Sequence, residues 1–386
     1  MARTELEATE EALRAAQSRL GIIGAYLALL EWSGSVGVLN PVQTGAQWTG
    51  YAVKVVAALR RRSRRLAQAY YQLARALDTG YTLGSPEGDD PAAEVKLSRL
   101  RQRFLDELLE INSLGREVSD DVDEFSKFLH AEAIKARPDD DRESKRGNPL
   151  SKVELDRYIQ SFLDLEGVDK AVKVEPFEWP TDTDYDVLDR ELSRYFKKKL
   201  ADLEGSLKDA LASKEEDPAP EREKALRKKH EDAGNELAGK VHKHGLNGGG
   251  DTVRKVSNAD KRVQVWARQT GPRPCAFCAM LASRGFVYKS KQSASKAYKD
   301  KSLAGGLMGY SVSAYHPNCA CIAVPRWESI LENDLPEMNA WLQKKWQEVI
   351  DSKTLDGRYS ASTLNVWRRW LQQEYKVMEG QQALDV

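Results

Sequence analysis

Apolar residues recurring every three or four positions over residues 4–31, 48–78 and 93–136 constrain this chain most, because only long helices present such stripes to a core. The first stripe runs through Leu13, Leu20 and Ile23. The second runs through Val55, Leu59, Leu66, Tyr70 and Leu73. The third runs through Leu97, Leu100, Phe104, Leu108, Ile111 and Leu114, and continues to Val122, Phe125, Phe128 and Leu129. Asp78-Thr79-Gly80 predicts a helix stop, since glycine takes the left-handed position after a helix at little cost. Helical patterns resume at 150–164, 184–213 and 221–240, and again in the tail at 334–349 and 361–377, where Trp341, Trp346, Trp367 and Trp370 keep helical spacing and read as core or interface.

Between these lie segments of another texture. Residues 138–149 and 215–220 are polar and rich in turn formers, which predicts linkers. Val172 to Trp179 reads as extended. Residues 262–269, 285–288 and 320–325 read as strands, the last stopped by Pro325, and Phe277 to Ser283 as a turn or two of helix. Asn247-Gly248-Gly249-Gly250 reads as a flexible loop, with Asp251 as N-cap of a short helix to about residue 258. His242 and His244 beside it are expected in solvent. The fold class expected is mainly α: long amphipathic helices, a small α+β zinc-binding domain and a helical C-terminal tail. The boundaries expected are 1–137 helical, 138–220 linker and helical segments, 221–330 a basic domain, and 331–386 the tail.

Charge sharpens that division. The 59 Lys and Arg balance the 59 Asp and Glu, yet residues 221–330 carry a net charge of +11 and the remainder −11. A basic region implies either an acidic partner, nucleic acid among them, or a solvated face. The run Arg60 to Arg65 could grip phosphates or pair with the acidic stretch at 117–124. The longest near-apolar run, Ile22 to Leu30, is far short of the about 20 residues that span a bilayer, and the N-terminus lacks the order of a signal peptide. These features predict a soluble product without a membrane span.

All four cysteines fall between Cys275 and Cys321, as Cys275-Ala-Phe-Cys278 and His316-Pro-Asn-Cys319-Ala-Cys321. A C-x2-C turn brings two thiolates to one metal, and tetrahedral zinc is the usual guest. Five candidates, Cys275, Cys278, His316, Cys319 and Cys321, compete for four positions. If 319–323 is extended, Cys319 and Cys321 share a face. Structural Zn²⁺ is the reading preferred. Buried free thiols, a disulfide or redox pair, and a Cys278–His316 nucleophile pair remain open, the last without a third residue to orient it.

The segments Trp266-Ala-Arg268, Cys275 to Gly285 and Tyr315-His316-Pro317-Asn318-Cys319-Ala-Cys321-Ile-Ala-Val-Pro325 resemble the phage Mu F-like minor head proteins, most closely the versions from tailed phages of actinobacteria. The resemblance covers residues 221–330 and marks Cys275, Cys278, His316, Cys319 and Cys321 as motif residues. It implies a structural minor capsid protein, held in the virion near the portal vertex and made in the host cytoplasm. Such a protein assists head assembly and DNA packaging or ejection. The partners implied are the portal protein and the major capsid or scaffold protein, with packaged double-stranded DNA a further candidate. Some relatives carry ADP-ribosyltransferase modules and others are labelled capsid proteases. The residues show no constellation for either, so no enzyme is expected. The alternatives from other classes are a nucleic-acid-binding protein or nuclease using His316 and the basic region, and a toxin-like ADP-ribosyltransferase.

Overall fold

The computed structural model describes residues 2–86, 94–117, 152–164, 169–181, 185–213, 219–270, 274, 276–288, 321–328, 335, 337–350 and 366–375. The expected linker at 138–149, the Val122 to Leu129 continuation, the acidic side chains of 117–124 and most of the 215–220 segment lie outside them. The described chain is mainly helical.

Helix α1 (Ala2–Ser35) and helix α2 (Pro41–Thr79) form an antiparallel hairpin. Trp48 donates its indole N–H to Ala28 O at 2.8 Å and locks the two near the turn. Helix α2 ends as its sequence predicts: Gly80 has φ +73°, and its N–H bonds Ala76 O. Helix α3 (Leu97–Glu117) and helix α4 (Lys152–Leu163) cover one side of the hairpin, with Phe104 meeting Phe162 edge to face. Helix α5 (Tyr185–Ser213) packs Phe196 on Trp48.

The main departure from expectation is helix α6 (Ala219–Ala259), 41 residues long and unbroken through Gly245-Leu-Asn-Gly-Gly-Gly250. A loop there would be cheaper locally, since each helical glycine costs about 1 kcal/mol against alanine. Tertiary contact overrides that preference. A Cβ on Gly248 would sit 2.8 Å from Cα of Arg60, and one on Gly249 would sit 2.7 Å from Ser63 O. One on Gly245 would lie 2.9 Å from Cβ of Leu59. The glycines face α2 and let its backbone approach. The hairpin answers in kind, because Gly21 of α1 makes room for the ring of His242. Asp251 is therefore no N-cap: it receives Arg60 Nη2 at 3.1 Å.

Two small sheets complete the fold. Strands β1 (Tyr81–Leu83), β2 (Glu94–Lys96) and β3 (Ala171–Glu175) lie in the order β1-β3-β2, with β3 parallel to β1 and antiparallel to β2. Strands β4 (Val265–Gln269) and β5 (Ile322–Arg326) pair antiparallel. Pro325 lies inside β5 rather than ending it. It sits opposite Trp266, whose N–H and C=O both bond Tyr288 on the far side. The ladder therefore asks no donor of Pro325. The segment expected as a strand at 285–288 supplies only that bridge.

Helix α7 (Ala276–Ala282) follows β4, and helices α8 (Glu337–Val349) and α9 (residues 366–375) close the chain. Leu226, Leu237, Val241 and Val253 of α6 share one core with Leu13, Leu20 and Leu59, and so do Trp266, Val324 and Trp327. The core thus runs across residue 221, where the charge balance changes sign. Among the described residues, no helix is long and apolar enough to cross a membrane.

Candidate metal centre

Strand β4, helix α7 and strand β5 carry the cysteine motif. Cys278 is the third residue of α7 and fully buried. Cys321 directly precedes β5 and is buried too. The two thiols pack in one cluster with Phe277, and no disulfide joins them. Cys275, His316 and Cys319 lie outside the described residues. Two of the five candidate ligands are thus brought together. Among the described residues, no group of three or more potential ligands forms.

The surroundings of the pair are built rather than incidental. Arg268, wholly buried on β4, donates Nη2–H to Cys278 Sγ at 3.0 Å. The contact places a cation against the sulfur. Asn339 of α8 donates to Arg268 O at 2.8 Å and to Ala282 O at 3.1 Å, tying α8 to β4 and α7 at once. Tyr375 of α9 donates to Pro274 O at 2.8 Å, fixing the backbone just before Cys275. Gly285, at φ +65°, turns the chain out of α7.

The tail tryptophans are core, as their spacing predicts. Trp346 meets Trp367 at 5.0 Å and Trp367 stacks on Trp370 at 4.9 Å. The cluster rests on Ala276, Ala279 and Ala282 of α7. The tail is therefore a buttress of the cysteine helix. The donor chemistry fits a thiolate metal: two adjacent buried sulfurs, an apolar wall and a cation that offsets thiolate charge.

A second polar cluster docks this module on the helical body. Arg326 at the end of β5 forms a bidentate pair with Glu10 of α1, which is completely buried. Burial raises the pKa of Glu10, and Arg326 pulls it back only in part. At the foot of α6, Asp260 receives Arg75 Nε at 2.8 Å, the Trp327 indole at 2.8 Å and Tyr71 OH at 3.0 Å. Burial opposes ionisation of Asp260, yet Arg75 and the other donors hold its pKa below the usual value. Asp78 accepts the Trp327 backbone N–H at 2.9 Å. Glu175 of β3 receives both Arg75 and Arg262. Tyr71, Arg75 and Asp78 share a face of α2, but their partners lie on other elements, so spacing gave no signal for the pairings.

The remaining candidates are placed as follows. His242 is buried, not in solvent. Burial and the neighbouring Lys243, Arg60 and Lys240 push the pKa of His244 down to about 3, so it is neutral. The Arg60–Arg65 run is spent internally. Arg60 holds Asp251 and His244 O, and Arg61 lies over the Tyr185 ring. Arg62 and Arg65 pair with Glu110, and Arg65 also with Glu107, while Arg64 donates to Pro180 O. Among the described residues, the carboxylates that meet the run are Glu107 and Glu110 of α3 and Asp251 of α6.

Residues 198–349, about two fifths of the chain, match the family model described as VG15 protein. No curated protein and no solved structure matches the chain. The matched stretch runs from the middle of α5 to the end of α8 and contains both cysteine segments. It is similar to a viral gene-product family, which suggests that the protein is phage-encoded.

Proposed function

We propose that the chain is a structural minor head protein of a tailed phage, associated with the portal vertex and stabilised by zinc. The observation that carries this reading is the position of the paired cysteine segments. They lie within the stretch that matches a viral family, and Cys278 and Cys321 come together there in a buttressed site. Cys278 and Cys321 supply two thiolates, with Cys275, His316 and Cys319 as the pool for the rest. When bound, zinc supplies folding energy by tying the segments before and after residues 279–318 to one point. Arg268 balances part of the thiolate charge. Asn339 and the tryptophan buttress hold α7 in place.

Tryptic peptides of this chain are expected in purified virions at a few copies per particle. Their absence from particles, with the protein abundant in infected cells, rejects the structural role. Zinc content separates the second part: purified protein is expected to hold about one zinc per chain and to lose tertiary structure on chelation. Substoichiometric metal with unchanged folding rejects the zinc site and leaves the virion role standing.

A further inference from the structure

The densest basic run in the sequence is consumed by internal contacts, but a second basic surface is not. Helix α5 buries Leu188, Leu192, Phe196, Leu200, Leu203 and Leu207. At about 100° per residue, Arg190, Arg194, Lys197, Lys198 and Lys208 all fall within one arc of about 100° on the opposite side. All five are exposed. No Asp or Glu of α5 enters that arc: Asp186 and Glu204 flank one edge, Glu191 and Asp209 the other. Lys208 pairs with Glu204, and Arg190 donates to Asp186 O. Arg194, Lys197 and Lys198 make no ion pair among the described residues. A Cβ on Gly205, within the same arc, would meet nothing within 4 Å, so the face is open.

Helix α6 is the contrast. Its exposed Lys224, Arg227 and Lys228 are interleaved with exposed Glu221, Glu223, Glu231 and Asp232, and Arg227 pairs with Glu223. That face is mixed; the α5 face has one sign.

The geometry points to the outer face of α5 as a binding surface for the phosphate backbone of double-stranded DNA. From Arg190 to Lys208 the helix spans about 27 Å at 1.5 Å per residue, the length of about 8 base pairs at 3.4 Å each. A straight row of cations meets phosphates where the strands come round to it, and nothing in the row reads base edges, so binding is sequence-independent. This inference does not rest on the virion reading, since purified protein and any duplex suffice to test it.

The experiment is fluorescence anisotropy of a labelled random-sequence duplex of about 20 base pairs with the full chain, from 50 to 200 mM salt. Arg190, Arg194, Lys197 and Lys198, the members of the row other than the Glu204-paired Lys208, make four phosphate contacts and predict a slope of log affinity against log salt of about −3.6, or about 10²-fold loss across that range. The triple variant Arg194→Gln, Lys197→Gln, Lys198→Gln removes three contacts and is expected to flatten the slope to about −0.9, or about fourfold. Arg194→Gln alone is expected to reduce the slope by about 0.9. The substitutions lie on an exposed helical face and glutamine is a good helix former, so the far-ultraviolet circular dichroism is expected to stay unchanged. The α6 triple Lys224→Gln, Arg227→Gln, Lys228→Gln changes net charge equally and is expected to keep the wild-type slope.

The inference is overturned if the wild type does not bind at 50 mM salt, if the α5 triple keeps the full slope, or if the α6 triple loses as much. It is also overturned if poly-glutamate of matched charge competes better than the duplex. That result assigns the face to an acidic protein surface.

Discussion

Replacing Gly248 by alanine and replacing Gly50 by alanine should move stability in opposite directions, although both glycines are helical. At Gly50, on the exposed side of α2, an added Cβ meets nothing within 4 Å. Propensity alone then acts, and Gly50→Ala should stabilise by about 0.5–1 kcal/mol. At Gly248 the same Cβ would lie 2.8 Å from Arg60 Cα and 2.9 Å from its carbonyl carbon, and closer still to its carbonyl oxygen. These are backbone atoms, which no rotamer change can clear. The helices must separate, and separation also stretches the Gly249 N–H bond to Ser63 Oγ at 2.9 Å and the Arg60 bond to His244 O at 3.1 Å. Overpacking of this kind costs about 3 kcal/mol at the upper end of its usual range. Set against the propensity gain of about 1 kcal/mol, the net loss is about 2 kcal/mol. Urea midpoints followed by circular dichroism measure both variants under one protocol. Equal gains at the two positions would refute the close crossing of α2 and α6, and with it the reading of 245–250 as helix.

Other outcomes follow from the docking clusters and the buttress. Arg326→Met leaves Glu10 buried and unpaired and should cost about 3–5 kcal/mol, with much of the loss recovered in the double variant Glu10→Gln, Arg326→Met; denaturant midpoints read both. Asp260 has a pKa held below 3.8, so its ionised form contributes stability above that value, and the contribution disappears as pH falls through the lowered folded pKa. Asp260→Asn should therefore lower stability at neutral pH and flatten its acid dependence below about pH 4; an acid titration with the same dependence as wild type would contradict the assignment. Trp367→Ala should cost about 3–5 kcal/mol. It should also speed the reaction of Cys278 with a thiol reagent, because Trp367 packs in the cluster under α7.

Much of this architecture is legible in the residues, and the exceptions share a cause. The stripes of α1, α2, α3 and α5 declare themselves because their period is a local property. Gly80 does so as well, since a left-handed residue after a helix is a local demand. The segment 245–250 misleads for the opposite reason: its composition favours a loop, and only the backbone of α2 makes helix the better state. His242 is likewise buried by Gly21, more than 200 positions away. At the candidate centre, the motif spacing names the five candidates, of which Cys278 and Cys321 pack together. It does not name Arg268, Asn339 and the tryptophan buttress, because each is defined by a partner on another element. The charge asymmetry was informative in an unexpected way. Part of the acidic partner that the basic region calls for is the chain itself, through Glu10 and Glu175.

The long reach of α6 also sets a timetable. Its glycine face closes a groove made by the α1–α2 hairpin, yet α6 begins 140 residues after α2 ends. At about 5–20 residues per second, a ribosome leaves that groove open for roughly 7–28 s. Asp260, the seat for Trp327, arrives later still. The hairpin must therefore persist with one apolar side uncovered during synthesis, a window in which a chaperone or a second nascent chain can compete with α6 for the same surface.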